Sequence, residues 1–231
     1  MSEKKSNKTL NSSLLLKASN IEHNFDYPLF KNINLDIKEK ESIAIIGSSG
    51  SGKSTLLNIL SSLLKPTSGT VVFKNKDIYS LKQDKLLKIR REDFGIVFQA
   101  HYLFRGFSAI ENLQIATLLS KEKIDNRLLE QLDIAHVLNQ GVGELSGGQQ
   151  QRLSIARILM KKPNIIFADE PTGNLDKKTA NIVMNTLFEY IKNNNAALVL
   201  VTHEDDLAFK CDRVFKLEDL SLKEILKWNC F

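Results

Sequence analysis

The chain has 231 residues, 42% of them hydrophobic, and a formal net charge of +5. This size supports one substantial core or two small ones, and Cys211 and Cys230 are too few for a disulfide framework, so we expect thiols in a reducing compartment. No apolar run reaches the roughly 18 to 20 residues of a membrane-spanning helix, and residues 1–13 lack the apolar segment of a signal peptide. Because the lysines are scattered along the chain, nucleic acid is not an expected partner.

The first part of the chain predicts a polar tail followed by a small antiparallel sheet. Residues 1–13 are rich in Lys, Ser and Asn, which is typical of disorder, with a basic anchor for acidic lipid as the alternative. From Leu14 to Lys40 apolar and polar residues alternate, which indicates half-buried strands. Thr70–Phe73 follows a Pro-Thr-Ser-Gly turn signal and is predicted to be a further strand of this unit.

Three later runs are apolar without alternation, as expected for strands buried on both faces of a parallel sheet: Ile43–Ile46, Ile165–Ala168 and Leu198–Val201. Polar residues follow each run, and in such a sheet they meet at the carboxyl edge, where ligands bind. The chain is therefore predicted to have an α/β fold with its site at this edge.

A helical insertion is predicted between Ser108 and Lys161. Apolar residues recur there at helical spacing, as in Ile124, Leu128 and Leu132 and again in Leu153, Ala156 and Met160. Each of the motifs described below occurs once, so one chain carries half of any two-fold arrangement.

The first buried run leads into a glycine-rich segment and then into residues of helical composition. This strand, loop and helix order is that of a phosphate-binding loop: Gly47, Ser48, Ser49, Gly50, Ser51, Gly52, Lys53, Ser54 and Thr55. The glycines let backbone N–H groups face phosphates, Lys53 adds positive charge, and the Ser54 hydroxyl can bind Mg²⁺.

Asp169 and Glu170 follow the second buried run. An acidic pair after a strand is by itself most often the start of a solvated loop. Beside a phosphate-binding loop, however, the first carboxylate is placed to hold Mg²⁺ and the second to orient the attacking water.

Ser146, Gly147, Gly148 and Gln149 begin a long predicted helix. A serine and two glycines at a helix N-terminus leave N–H groups available, which makes a second anion-binding device. An ordinary N-cap after a flexible turn is the alternative.

These motifs together resemble the nucleotide-binding subunits of ABC transporters over nearly the whole chain. The family's order is also kept by Gln99 after an apolar run, by Pro171–Asp176 and by His203. The resemblance implies a P-loop NTPase (RecA-like) α/β core with an antiparallel β subdomain and an inserted α-helical subdomain. The implied domain spans 14–231, with its core at about 14–99 and 161–220 and its helical subdomain at about 100–160.

The resemblance also implies individual roles. Phe25 would stack on adenine, with Tyr27 as the alternative. Gln99 would reach Mg²⁺ and the attacking water, and His203 would contact the γ-phosphate near Glu170. The catalytic set is thus Glu170, His203, Lys53 and Gln99, and the metal ligands are Ser54, Gln99 and Asp169.

The family further implies a dimer that closes around two ATP molecules. Ser146, Gly147, Gly148 and Gln149 would cap the ATP held by a second ATPase subunit, and Asp176 would lie across that interface. Integral-membrane permease subunits would dock beside the Gln99 segment and the helical insertion.

Two segments indicate a branch of the family: Pro171–Asp176 and 101–112. They look most like the subunit that powers lipoprotein release from the bacterial inner membrane, which would place the chain at the cytoplasmic face. Macrolide-exporter and cell-division ATPases share the first segment and remain the alternative, and a soluble ABC-type ATPase is less expected because no coiled-coil insertion is present. His101 is either near the partner groove or an ordinary surface histidine.

Two further features complete the sequence interpretation. Gly141–Glu144 departs from the family in lacking the proline often found before the serine-glycine-glycine segment. Leu222, Ile225, Leu226 and Trp228 lie at helical spacing and predict an apolar helix face packed on the core.

Overall fold

A computed structural model describes residues 13–173 and 175–225. Within these ranges the chain forms two sheets whose strands are, in order, β1 (Leu14–Asn24), β2 (Pro28–Lys38), β3 (Ser42–Ile46), β4 (Ser68–Phe73), β5 (Lys76–Asp77), β6 (Phe94–Val97), β7 (Ile165–Asp169), β8 (Ala197–Val201), β9 (Arg213–Glu218) and β10 (Ser221–Ile225). The helices are α1 (Lys53–Leu60), α2 (Gln83–Glu92), α3 (Ala109–Ser120), α4 (Asn126–Gln131), α5 (Gly147–Leu159), α6 (Lys177–Asn193) and α7 (Asp205–Ala208).

The larger sheet has the order β10-β9-β3-β8-β7-β6. The three non-alternating runs form its neighbouring central strands β3, β8 and β7, which are mutually parallel. Their side chains are buried on both faces, in two separate clusters on opposite sides of the sheet. The prediction of a parallel α/β core is confirmed.

The smaller sheet has the order β2-β1-β4-β5 with antiparallel pairing throughout. Alternate residues of β1 and β2 face the core, so this sheet is covered on one face as the sequence pattern predicts. Phe30, Phe73 and Leu56 belong to the same buried cluster, which joins this sheet to α1 and the larger sheet.

Between β6 and β7 the longer elements are helices, as predicted. α3 begins at a capping box in which the Ser108 hydroxyl accepts from Glu111 N and the Glu111 carboxylate accepts from Ser108 N. Of the predicted helical positions Ile124, Leu128 and Leu132, only Leu128 lies within α4, because Asp125 caps this helix by accepting from Leu128 N and the helix ends at Gln131. The segment that lacks the family's proline forms a short 3-10 helix, Val142–Glu144.

The predicted C-terminal helix is wrong over its described part. Leu222 and Ile225 belong to β10, which pairs antiparallel with β9 across a turn formed by Asp219 and Leu220. Both still pack against the core. The predictions for Leu226, Trp228, Cys230, Asn174 and the tail 1–12 lie outside the described residues, and Cys211 is buried.

Across the described ranges, the helices are too short or too polar to cross a bilayer.

Candidate functional site

The glycine-rich segment forms the turn between β3 and α1. Lys53 Nζ donates to the backbone oxygens of Gly47 and Ser48, at 2.9 and 2.8 Å, so the lysine closes the loop on itself. Gly52 caps α1 with φ +99°, and a Cβ there would lie 2.7 Å from Leu29 Cγ. Glycine is therefore needed at this position for both its backbone angle and its close packing. Residues of this loop and of the first turn of α1 line the same cleft, and a helix N-terminus suits phosphate.

Asp169 ends β7 beside this loop. Burial raises the pKa of the Asp169 carboxyl, while a hydrogen bond with Ser54 opposes the rise. A desolvated carboxylate and a hydroxyl side by side are hard oxygen donors of the kind that Mg²⁺ prefers, and Gln99 adds an amide oxygen to the same cleft. The three predicted metal ligands thus fit the ion.

Glu170 is held by the end of the neighbouring strand β8. Its backbone N–H donates to Val201 O at 2.9 Å, and its φ of +47° is unusual for a residue with a side chain. The Thr202 hydroxyl donates to Glu170 Oε2 at 3.3 Å, and His203 Nδ1 lies 2.8 Å from Oε1. The hydrogen bond and charge of Glu170 raise the pKa of His203. Both carboxylate oxygens therefore have a fixed partner.

A cleft of about 380 Å³ joins the phosphate loop, Asp169 and Glu170, whereas His203 lies outside its lining and reaches the site through Glu170. The cleft is lined by Phe25, Tyr27, Leu29, Ser49, Gly50, Gly52, Lys53, Ser54, Thr55, Gln99, Asp169, Glu170 and Val201. Phe25 and Tyr27 remain 58% and 64% exposed, so both candidate stacking rings lie at the cleft and are free to contact a base. The structure brings the predicted phosphate, metal and water-orienting residues together in one place.

The second anion-binding device lies apart from this cleft in the described chain, since its residues do not line it. Ser146 caps α5 in a capping box, in which Ser146 Oγ accepts from Gln149 N and Gln149 Oε1 accepts from Ser146 N. Asp176 likewise caps α6, accepting from Lys178 N and Thr179 N, and the hydrogen bond from the Thr179 hydroxyl, followed by these backbone bonds, lowers the pKa of the Asp176 carboxyl. Within one chain these groups act as helix caps.

Sequence reasoning missed the residues that support the site. Leu29 is one example, and a second is Thr202, which was expected at the carboxyl edge from its place after a buried strand but was given no role. Gln151 is a third: this buried side chain lies between His101 Nδ1 and the backbone oxygen of Pro171, to which its Nε2 donates at 2.8 Å. His101 is thereby linked to the residue directly after Glu170.

Comparison with known proteins identifies the family. A model of the ABC transporter family matches residues 30–173. Lipoprotein-releasing system ATP-binding proteins LolD are similar to the chain: that of Rickettsia felis is 46% identical over 193 residues, covering 81% of this chain and 85% of its own length. The protein from Geobacter metallireducens is 43% identical, with 83% and 88% covered, and that from Hydrogenovibrio crunogenus is 38% identical, with 90% and 95% covered.

Solved structures agree in fold. The ATP-binding cassette MJ0796 in a dimeric post-hydrolysis state with ADP and Pi superposes with a TM-score of 0.83 at 35% identity, covering 91% of this chain and 98% of that one. A second dimeric structure of MJ0796, described as a bacterial ABC transporter cassette, gives 0.82 at 37% identity over the same fractions. The chain accordingly belongs to the ABC transporter family, as an ATP-binding protein with ATPase activity.

Proposed function

We propose that this chain is the ATP-hydrolysing motor subunit of a lipoprotein-releasing ABC complex at the cytoplasmic face of the bacterial inner membrane. The observation that carries the motor assignment is the meeting, in one cleft, of the Lys53 loop, Asp169 and Glu170, with His203 in contact with Glu170. The branch assignment rests on the similarity to LolD proteins, which extends over most of the chain.

Nucleotide binding follows from the charge and geometry of the cleft. The Lys53 ammonium and the N–H groups at the start of α1 attract the phosphates, and the exposed ring of Phe25 or Tyr27 offers a face to the base. Mg²⁺ bound by Ser54, Gln99 and Asp169 would neutralise charge on the terminal phosphates. The raised pKa of Asp169 fits a carboxylate that meets its ionic partner only when nucleotide arrives.

Hydrolysis is assigned to the groups around Glu170. Its carboxylate accepts from Thr202 and contacts His203, so its orientation is fixed before substrate binds. We infer that Glu170 orients the attacking water, that Gln99 contacts the same water, and that His203 contacts the γ-phosphate. Thr202 is a positioning residue, since it acts through Glu170.

We infer that two chains close around two ATP molecules. The N-terminus of α5, with Ser146, Gly147, Gly148 and Gln149, would cap nucleotide held by the partner, because these residues lie outside the chain's own cleft. Asp176 lies near this device. The side chain of Leu175, the residue before Asp176, packs close to Gly148, because a Cβ built on Gly148 would lie 3.5 Å from it. The similarity to dimeric cassette structures supports this arrangement.

Membrane partners would dock on the surface between Gln99 and α3. A groove of about 320 Å³ lies there, lined by Ala100, His101, Tyr102, Leu103, Arg105, Val142 and Gln150. Tyr102, Phe104 and Phe107 are exposed nearby, which is uncommon for aromatic rings on a single subunit. Movement at His101 would reach Pro171 through Gln151, which gives docking a route to the residue beside Glu170.

The test is co-purification of a tagged Glu170→Gln chain from detergent-solubilised membranes in ATP. The matched control adds Lys53→Ala, which removes the ammonium from the phosphate loop. Recovery of integral-membrane subunits together with lipoprotein supports the proposal. Recovery of division proteins or of an exporter would assign another branch, and absence of any membrane protein would favour a soluble ATPase.

A further inference from the structure

His23 is a buried histidine that the site described above does not use. It lies on β1 directly opposite Phe30 of β2 and is only 8% exposed. Neither ring nitrogen has a hydrogen-bond partner among the residues that the structure describes. A buried polar group without a partner lowers stability, so an apolar side chain would suit the fold better at this position.

The backbone on both sides of His23 is fixed by Thr67. Thr67 N donates to Glu22 O at 2.9 Å, Asn24 N donates to Thr67 Oγ1 at 3.3 Å, and that hydroxyl donates to Asn24 Oδ1 at 2.7 Å. The end of β1 is therefore tied to the loop that precedes β4. The position of the imidazole is set by these bonds and by the strand pairing.

The imidazole joins two aromatic rings. It meets the ring of Phe25 edge to face, with centroids 4.8 Å apart and an interplanar angle of 84°, and its centroid is 6.3 Å from that of Phe30. Phe30 in turn packs on the phosphate loop, since a Cβ on Gly52 would lie 3.2 Å from Phe30 Cδ1. A continuous contact thus runs from the exposed ring of Phe25 through His23 and Phe30 to Gly52.

We propose that His23 is a positioning residue for the base of the bound nucleotide: its ring holds Phe25 edge to face, so that the exposed part of Phe25 is fixed for stacking on a purine. This inference rests on the proposed nucleotide site and assigns Phe25, not Tyr27, as the stacking ring. Edge-to-face contact restricts the orientation of Phe25, and a ring that is ordered before binding loses less entropy when the base arrives. The contact to Gly52 sets the distance between the ring and the phosphate loop.

The experiment compares His23→Ala with Ile21→Ala in the full chain. Ile21 lies two residues earlier on β1, is fully buried and does not line the cleft, so its truncation controls for lost core packing. His23→Ala is expected to raise KM for ATP about threefold to tenfold without lowering kcat at saturating ATP, whereas Ile21→Ala lowers Tm and leaves KM unchanged. Equal KM values for the two variants would overturn the proposal.

A phosphate probe without a base separates positioning of Phe25 from damage to the phosphate loop. Inorganic tripolyphosphate binds where ATP phosphates bind but has nothing to stack, so its Kd, measured by calorimetry, should be the same in wild type and His23→Ala. An equal loss of tripolyphosphate and ATP affinity would show damage to the loop and reject the role in base positioning.

Two further variants test the mechanism. His23→Phe keeps a ring next to Phe25 and removes the unpartnered nitrogens, so it should restore KM and raise Tm. In the Phe25→Ala background, His23→Ala should add nothing to KM, because both changes remove the same stack. Failure of His23→Phe to restore KM, or additive effects, would contradict the proposal. If wild type bound ATP without hydrolysing it, the proposed motor function would be rejected. The Kd values of wild type and His23→Ala would still test the role of His23.

Discussion

His203 Nδ1 lies 2.8 Å from Glu170 Oε1, across the ends of two neighbouring parallel strands. The imidazole side chain is 68% exposed, whereas the Glu170 side chain is 16% exposed, so the histidine covers a half-buried carboxylate from the solvent side. The contact favours protonated His203 and raises its pKa, with a smaller contribution from Glu204. His203 in contact with Glu170 therefore holds its proton more tightly than an isolated imidazole does.

The titration of His203 tests this pairing. In the nucleotide-free chain its pKa, followed by NMR, should exceed the ordinary histidine value, because the folded state binds the proton more tightly than the unfolded state. The pair's contribution to stability is thus present below the unfolded pKa and lost as pH rises through the folded one. Glu170→Gln should lower the pKa of His203 more than Glu204→Gln does. If both variants lowered the pKa of His203 equally, the shift would come from the general negative charge around the imidazole and not from its direct contact with Glu170.

Replacing Glu170 with Gln should stop turnover. The amide keeps the shape and can still accept from Thr202, but it carries no negative charge toward the attacking water. We expect kcat to fall about 10²- to 10⁴-fold with the Kd for ATP nearly unchanged. Glu204→Gln is the control, because Glu204 lies outside the cleft lining and precedes α7. Unchanged hydrolysis in Glu170→Gln would remove Glu170 from the catalytic step.

Most of the fold was predictable because its signals are local. The non-alternating runs and the glycine-rich turn each specify an element without knowledge of the rest of the chain. The β9–β10 hairpin was not predictable from the sequence. Its turn residues Asp219 and Leu220 both have positive φ, and a leucine does not signal such a turn. Leu222 and Ile225 are three apart, which suits a helix, and only pairing with β9 makes them a strand.

The residues that carry the chemistry of the site were predictable from the sequence. The residues that hold them in place were not. Lys53 begins α1 directly after the glycine-rich loop, and Asp169 and Glu170 stand at the end of β7. His23, by contrast, reaches Phe30 only through the β1–β2 pairing, and Gln151 reaches Pro171 across 20 residues of sequence. Such contacts depend on tertiary packing, for which sequence spacing carries no signal.

Dimerisation through the start of α5 is tested by Ser146→Arg. In a Glu170→Gln background with ATP, size-exclusion chromatography with light scattering should show dimers for Glu170→Gln alone and monomers when Ser146→Arg is added. The arginine would occupy the space of the partner's phosphates, and loss of the cap on α5 would cost about 1 kcal/mol. Ser80→Arg, at an exposed serine elsewhere, is the control. A dimer that survives Ser146→Arg would place the interface away from α5.

Lys161 connects the end of α5, the helix capped by Ser146, with β6. Strand β6 leads toward Gln99. Lys161 Nζ donates to Arg90 O at 3.1 Å and to Phe94 O at 3.0 Å. Burial, with a smaller effect from Arg157, lowers the pKa of Lys161 to about 8 from an ordinary value of 10.5. Between these two values the unfolded chain binds more protons than the folded chain, so the contribution of Lys161 to the free energy of unfolding rises with pH.

Lys161→Met should remove this dependence. Urea titrations at pH 7.5 and pH 10 give the free energy of unfolding of wild type and variant. From the lower pH to the higher, wild type should gain up to about 3 kcal/mol relative to Lys161→Met. Lys162→Met is the control, since the Lys162 side chain is 60% exposed and pairs with Glu122 at the surface. A flat difference for Lys161→Met would mean that the carbonyl contacts keep the ammonium charged. The end of α5 would then be held by an ion whose hydrogen bonds offset its burial.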